Sequence, residues 1–351
     1  MDTQTIIKGR PVHFAIVGCG RISKNHFSAL RQQGDHAVLV DVCDINPEVR
    51  SALSATNIPV SATLSELLAV TTADVVVLAT PSGLHAQQAI QIAQSGRHVV
   101  TEKPMATRWQ DGQRMLEVCD SAGVHLFVVK QNRHNATLKL LKEALEKKRF
   151  GRIYLVTINL FWQRPQHYYD SASWRGTWEF DGGAFMNQAS HYVDLLHWLI
   201  GPIESVHAYM GTLGRSIEVE DTGVLSVRWR CGALGSLNVT MLTYPNNLEG
   251  SITILGEKAS VRIGGASLNQ IHQWKFSEPD ELDEKVSSTS YETASEYGFG
   301  HADYYANVID VLQGKAEPIT DGRSGLKSLE LLTAAYLSAR DGKRVALPLI
   351  Y

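Results

Sequence analysis

The chain has 351 residues, 44% hydrophobic and 20% charged, with 33 Lys and Arg against 36 Asp and Glu. That length exceeds one ordinary core and predicts two domains, each able to fold in water. A formal charge of -3 lacks the broad basic footprint that nucleic acid or an anionic membrane would need, so neither is an expected partner.

The first ten residues, MDTQTIIKGR, lack an apolar signal core, and no later stretch is long and apolar enough to span a bilayer. Cys19, Cys43, Cys119 and Cys231 are scattered without a C-x-x-C pair, which argues against a zinc site or a disulfide framework. A reducing cytoplasm is the expected location. From residue 12 to 130, β-branched runs alternate with helical spacing. Strands are predicted at 12–17, 37–44, 74–80, 98–101 and 125–130, and helices at 23–33, 64–70, 84–94 and 108–122. This βαβ series predicts an α/β Rossmann domain, a doubly wound parallel sheet, over residues 1–130.

The first strand runs into Gly18-Cys19-Gly20-Arg21-Ile22-Ser23 and then a helix. Free backbone N–H groups and the helix dipole at such a turn suit a dinucleotide pyrophosphate, with Ser23 in place of the fingerprint's third glycine. Two glycines alone also suit a plain tight turn; the strand before and the helix after point to the cofactor. Asp44 lies 21 residues beyond Ser23, at the end of the second strand. A carboxylate there accepts from ribose hydroxyls and repels a 2′-phosphate, so NAD is expected over NADP. Asp41, inside the strand, is its structural competitor. Thr80-Pro81-Ser82 with His85, and Glu102-Lys103-Pro104, follow the carboxyl ends of later strands, where ligands of such sheets bind. Lys103, held non-helical by the proline after it, either aims its ammonium into that crevice or lies solvated in a surface loop.

Residues 131–351 read as an α+β domain for substrate binding and oligomerisation. A helix at 138–147 precedes strands at 153–161, 206–210, 223–230, 233–241, 251–255 and 260–263, which predict an open, mostly antiparallel sheet. Helices are predicted at 185–200, 302–313 and 324–340, and a charged surface loop at 277–290. The stretch from 161 to 178 is dense in aromatics and arginines, with Arg164, Tyr168, Tyr169 and Arg175 as candidates for sugar recognition and a packed loop or interface as the alternative. Asn187 and His191 share one helical face by their spacing. Asp194 and His197 continue that helix, but no third ligand joins them, so no metal is expected.

Together GCGRIS, Asp44, Thr80-Pro81-Ser82 with His85, and Glu102-Lys103-Pro104 resemble the Gfo/Idh/MocA oxidoreductase family, and the resemblance spans the chain. It implies that Lys103 lies beside the nicotinamide and the reacting hydroxyl, and that Glu102 and the 80–85 turn contribute to the NAD site. It also implies a second-domain sheet that packs subunits together, commonly as homotetramers. DGGAFMNQASHYVD, residues 181–194, resembles the family's glycine-led helix with its catalytic histidine, here His191. Many members carry aspartate where this chain has Asn187. An amide orients a hydroxyl but cannot take its proton, which leaves His191 and Lys103 as the acid/base candidates. The 161–178 segment, with EVEDTG, NVTMLTYPNNLEGSITILGEKASVRIGG and YGFGHADYY, is similar to the family's UDP-N-acetylglucosaminuronate 3-dehydrogenases of bacterial surface-polysaccharide synthesis. That similarity implies NAD-dependent oxidation of a UDP-sugar at C3, with Arg164 and Arg175 as candidate clamps for the uronate carboxylate. The rivals are a free-sugar or cyclitol dehydrogenase, an NAD-dependent glycosidase, and a non-catalytic NAD-sensing regulator.

Overall fold

The computed structural model describes residues 6–293 and 298–350, and the chain divides into two compact units: 1–130 with 301–329, and 131–300 with 330–351. Tyr297, within the YGFGHADYY segment, lies outside the described residues.

In the first unit the chain runs through β1 (Val12–Val17), α1 (Ser23–Gln32), β2 (Ala37–Cys43), α2 (Pro47–Leu53), β3 (Val60–Ser61), α3 (Leu64–Val70), β4 (Val75–Leu78), α4 (His85–Gln94), β5 (His98–Thr101), α5 (Trp109–Ser121) and β6 (Leu126–Val128). All pairings are parallel and the strand order is β3-β2-β1-β4-β5-β6. Order therefore reverses between β1 and β4, the place where open α/β sheets bind ligands beyond the strands' carboxyl ends. Every residue of β4 and β5 is buried, which is why these strands read as unbroken apolar runs. The sequence reading missed α2 and β3. The signal for α2 was present: Asn46 caps it by accepting from Glu48 N at 2.9 Å, and Pro47 occupies its first position.

The second unit contains α6 (Ala136–Glu146), β7 (Ile153–Phe161), α7 (Gln166–Asp170), α8 (Ser190–Ile200), β8 (Ile203–Gly211), β9 (Thr222–Trp229), β10 (Leu234–Thr240), β11 (Glu249–Gly256), β12 (Ala259–Gly264), β13 (Gln270–Phe276) and α9 (Leu282–Thr289). After these come α10 (Gly300–Leu312), α11 (Gly322–Asp341) and β14 (Val345–Ala346). The sheet order is β13-β12-β11-β7-β10-β9-β8-β14, antiparallel throughout except for the parallel pair β7 and β10. Along each strand apolar side chains alternate between faces. Val156, Ile158, Leu160, Leu225, Val227, Leu237 and Val239 form a buried layer, and the indole of Trp229 donates to Leu196 O on α8 at 3.1 Å. The opposite face carries Leu155, Tyr209, Val224 and Leu234 in the open.

Two readings need correction. The 277–290 stretch is not a loop: α9 forms there, with Leu282 fully buried and its N–H received by Asp280 Oδ1 at 2.9 Å. Its charge density hid one buried anchor among solvated positions. Second, α10 clusters with the first unit, where Tyr304, Tyr305, Val308 and Ile309 join Phe14, Ile16 and Val129 in one core. An amphipathic stripe reveals that a helix packs, not which distant sheet receives it.

Candidate active site

In the first unit β1 runs into Gly18, whose φ is +88° and whose backbone presses on the residue after β4: a Cβ there would lie 2.7 Å from Ala79 O. Glycine is required by both conditions. Gly20 faces open space, and Ile22 stands at the N-cap of α1 without a side-chain cap bond, so no capping side chain takes the first N–H groups of the helix, which suits an anion. Ser23 closes the turn by donating to Gly20 O at 2.7 Å. Asp44 accepts from Cys19 N and from Asn46 N, each at 2.8 Å, which fixes its half-buried carboxylate beside the glycine turn. Asp41 is buried and accepts from the Thr71 hydroxyl, a structural role. Burial, with the nearby Asp44 charge, pushes the Cys19 thiol up to about 12, so it stays protonated. Arg21 is exposed and Ile22 half-buried on the same turn.

Beyond β4, His85 starts α4 with both ring nitrogens on carbonyls, Nδ1 to Pro104 O and Nε2 to Thr80 O, each at 2.9 Å. Burial lowers its pKa more than those carbonyls and Glu102 raise it. The neutral ring donates to one of these carbonyls and packs against the other, between the Thr80-Pro81-Ser82 turn and the Glu102-Lys103-Pro104 turn. Lys103 is half-buried, whereas Glu102 is only 6% exposed and accepts from Lys103 N through Oε2 at 3.1 Å and from His26 through Oε1 at 3.1 Å. Burial acts to raise the Glu102 pKa, but His26, Lys103 and His301 outweigh it and hold the carboxyl down to about 2. Glu102 is thus an engaged, buried anion.

In the second unit the predicted 185–200 helix is two pieces. Residues Ala184–Gln188 wind as a π-helix and α8 begins only at Ser190. Asn187 and His191 therefore do not lie on one regular α-helical face: the Asn187 amide donates to Asp181, and His191 Nε2 faces Gln131 Nε2 at 3.0 Å. Asp194 is not poised for a metal; it forms a buried bidentate pair with Arg133, both contacts 2.7 Å.

Arg164 and Arg175 stand over the same ring, with guanidinium carbons 5.5 and 4.3 Å from the Tyr168 centroid. Arg175 also donates to Tyr168 Oη at 2.5 Å and lies 4.5 Å over Trp174, and no carboxylate pairs with it among the described residues. Tyr169 is buried, edge-on to Tyr168. Beneath these loops, the carboxylates of EVEDTG receive backbone N–H groups. Glu218 accepts from Trp178 N, Glu220 from Phe185 N, and Asp221 from the three amides of Leu213, Gly214 and Arg215, at 2.9 to 3.0 Å. Glu220 Oε1 also accepts from Tyr336 Oη at 2.9 Å, and a Cβ on Gly183 would overlap its carboxylate. The sequence reading had not singled out Gln131 or Arg133, and it quoted EVEDTG as part of a resemblance without giving its acids a role. Consecutive carboxylates opening an apolar strand were the available signal.

Two family models match the chain, the "Oxidoreductase family, NAD-binding Rossmann fold" over residues 12–130 and the "Oxidoreductase family, C-terminal alpha/beta domain" over 142–347. The chain is 65% identical to the WlbA dehydrogenase of Bordetella pertussis, solved with NADH and UDP-GlcNAcA, covering 98% of this chain and 100% of that one with a TM-score of 0.96. It is 63% identical to the WlbA dehydrogenase of Chromobacterium violaceum, solved with the same two ligands, over 100% of both chains with a TM-score of 0.95. A D-apiose dehydrogenase of Paraburkholderia graminis is 25% identical over 95% of this chain and 89% of its own length. Both domains of the fold, and relatives at this identity along the whole chain, make this protein a member of the Gfo/Idh/MocA oxidoreductase family.

Proposed function

We propose that the chain oxidises the C3 hydroxyl of UDP-N-acetylglucosaminuronic acid to the 3-keto sugar, in the synthesis of a bacterial surface polysaccharide such as an O-antigen. The observation that carries this reading is the 65% identity, over 98% of the chain, with a dehydrogenase solved with NADH and that UDP-sugar. NAD, when bound, accepts the hydride that leaves C3. The turn Gly18-Cys19-Gly20-Arg21-Ile22 and the uncapped start of α1 would hold its pyrophosphate, supported by the open space at Gly20. Asp44 would hold the adenosine ribose. Thr80, Pro81, Ser82, His85 and Glu102 would shape the nicotinamide end, with Glu102 acting through the Lys103 main chain.

Lys103 and His191 are the groups proposed to take the hydroxyl proton, and Lys103 as a cation also stabilises a developing alkoxide. Asn187 and the loop residues Arg164, Tyr168, Tyr169 and Arg175 are proposed to hold the sugar. The open sheet face with Tyr209, Val224 and Leu234 supports a homotetramer built through this sheet. No helix among the described residues is long and apolar enough to cross a membrane, which suits work in the cytoplasm.

Lys103→Ala should slow the single-turnover reduction of NAD by orders of magnitude while NAD still binds, and His191→Asn should impair it as well. Rates near those of the unaltered enzyme in both variants would eliminate the acid/base assignment.

A further inference from the structure

A chain of three buried polar side chains runs behind Lys103 in the first unit. Tyr305 Oη lies 2.7 Å from His26 Nδ1, and His26 Nε2 lies 3.1 Å from Glu102 Oε1. Tyr305 and His26 are fully buried and Glu102 nearly so. A carboxylate only accepts, so Nε2 carries the proton toward Glu102 and Nδ1 accepts from the phenol; every donor in the chain then has its acceptor. The other Glu102 oxygen takes the N–H of Lys103. His26 sits on α1, the helix of the glycine turn, so the chain ties that helix to the turn bearing Lys103.

We propose that His26, completed by Tyr305, is a positioning residue for Lys103: it keeps the Glu102 carboxylate in place, and Glu102 in turn holds the main chain of Lys103 and acts on its charge. The inference rests on the reading that Lys103 meets the reacting hydroxyl. The ionisable groups facing Glu102 are His26 from α1, His301, Tyr304 and Tyr305 from α10, His85 from α4, and Lys103 beside it. Among them Glu102 is an anion whose charge acts on the Lys103 ammonium.

Removing His26 takes away one of the two donors that hold the Glu102 carboxylate beside Lys103; a carboxylate free to turn away acts more weakly on the Lys103 ammonium, and the Lys103 pKa falls. The direction is the same whether Lys103 works as a base or as a cation: the limb of the pH–rate profile owed to Lys103 moves to lower pH. In His26→Leu that limb is expected to move by about one unit with kcat down roughly tenfold or more and KM for NAD little changed. His26→Gln, which restores a donor, should recover most of both, and Glu102→Gln should show the same displacement as His26→Leu. Tyr305→Phe keeps the ring packed and should move the limb in the same direction by less, so it stands in if His26→Leu does not fold. An unmoved limb in Glu102→Gln and Tyr305→Phe would overturn the proposal. Lys103→Ala with an undiminished rate would instead overturn the reading of Lys103 on which it rests.

Discussion

Asp44 and Arg175 are the charged side chains proposed to set what the site accepts. Asp44 is held by two backbone amides, and its fixed negative charge beside the glycine turn disfavours a ribose phosphate. Asp44→Ala is expected to weaken NAD binding and narrow the gap between NAD and NADP; calorimetry that finds the unaltered enzyme preferring NADP would contradict the assignment. Arg175 is preorganised by Tyr168 and Trp174 and lacks a carboxylate partner of its own among the described residues, which suits it to the uronate. Loss of one charge-assisted contact costs about 1.5 to 3 kcal/mol, so Arg175→Lys or Arg164→Lys should lower kcat/KM for UDP-GlcNAcA roughly ten- to a hundredfold relative to UDP-GlcNAc. Equal loss on both sugars would mean that the arginine does not read C6.

At the scale of elements, the approach to β9 organises the loops of the second unit, because its three carboxylates gather the amides of three separate segments. Burial pushes the Glu220 pKa up to about 7, against the lowering effect of its bonds from Phe185 N and Tyr336. A carboxyl whose folded pKa lies above its unfolded value binds more protons when folded. The stability it contributes is complete at low pH and is lost as pH rises through about 7. Tm should therefore fall between pH 6 and pH 8 in the unaltered protein and fall less in Glu220→Gln; parallel curves would show that Glu220 is already ionised. The parallel sheet was legible in the sequence because its strands are buried on both faces, and the second sheet because its strands alternate. The break between Ala184–Gln188 and α8 was not legible, since Glu220, which receives Phe185 N, arrives from a distant part of the chain, while the local Asp181 holds the Asn187 amide. For the same reason Glu102 could be read as part of the site, but its partners His26 and Tyr305 could not.

For the whole molecule, the exposed face of the eight-stranded sheet is a surface suited to self-association, since Tyr209 at 71% and Leu234 at 49% exposure lie on it with the Asn159–Asn238 amide pair. Light scattering is expected to give a tetramer, and Tyr209→Arg with Leu234→Arg to give smaller species; an unaltered enzyme that runs as a monomer would contradict this. The activity proposed for this enzyme is one oxidation, that of a UDP-linked uronate at C3 by NAD. It is tested most directly by mixing the NAD-loaded enzyme with one equivalent of UDP-GlcNAcA and, separately, UDP-GlcNAc, following nicotinamide reduction in a single turnover that does not depend on NADH release. Stoichiometric reduction with the uronate, at a rate at least about tenfold above that with the alcohol, is the predicted result. Reduction by a free polyol but by neither UDP-sugar, or equal rates on the two UDP-sugars, would contradict it.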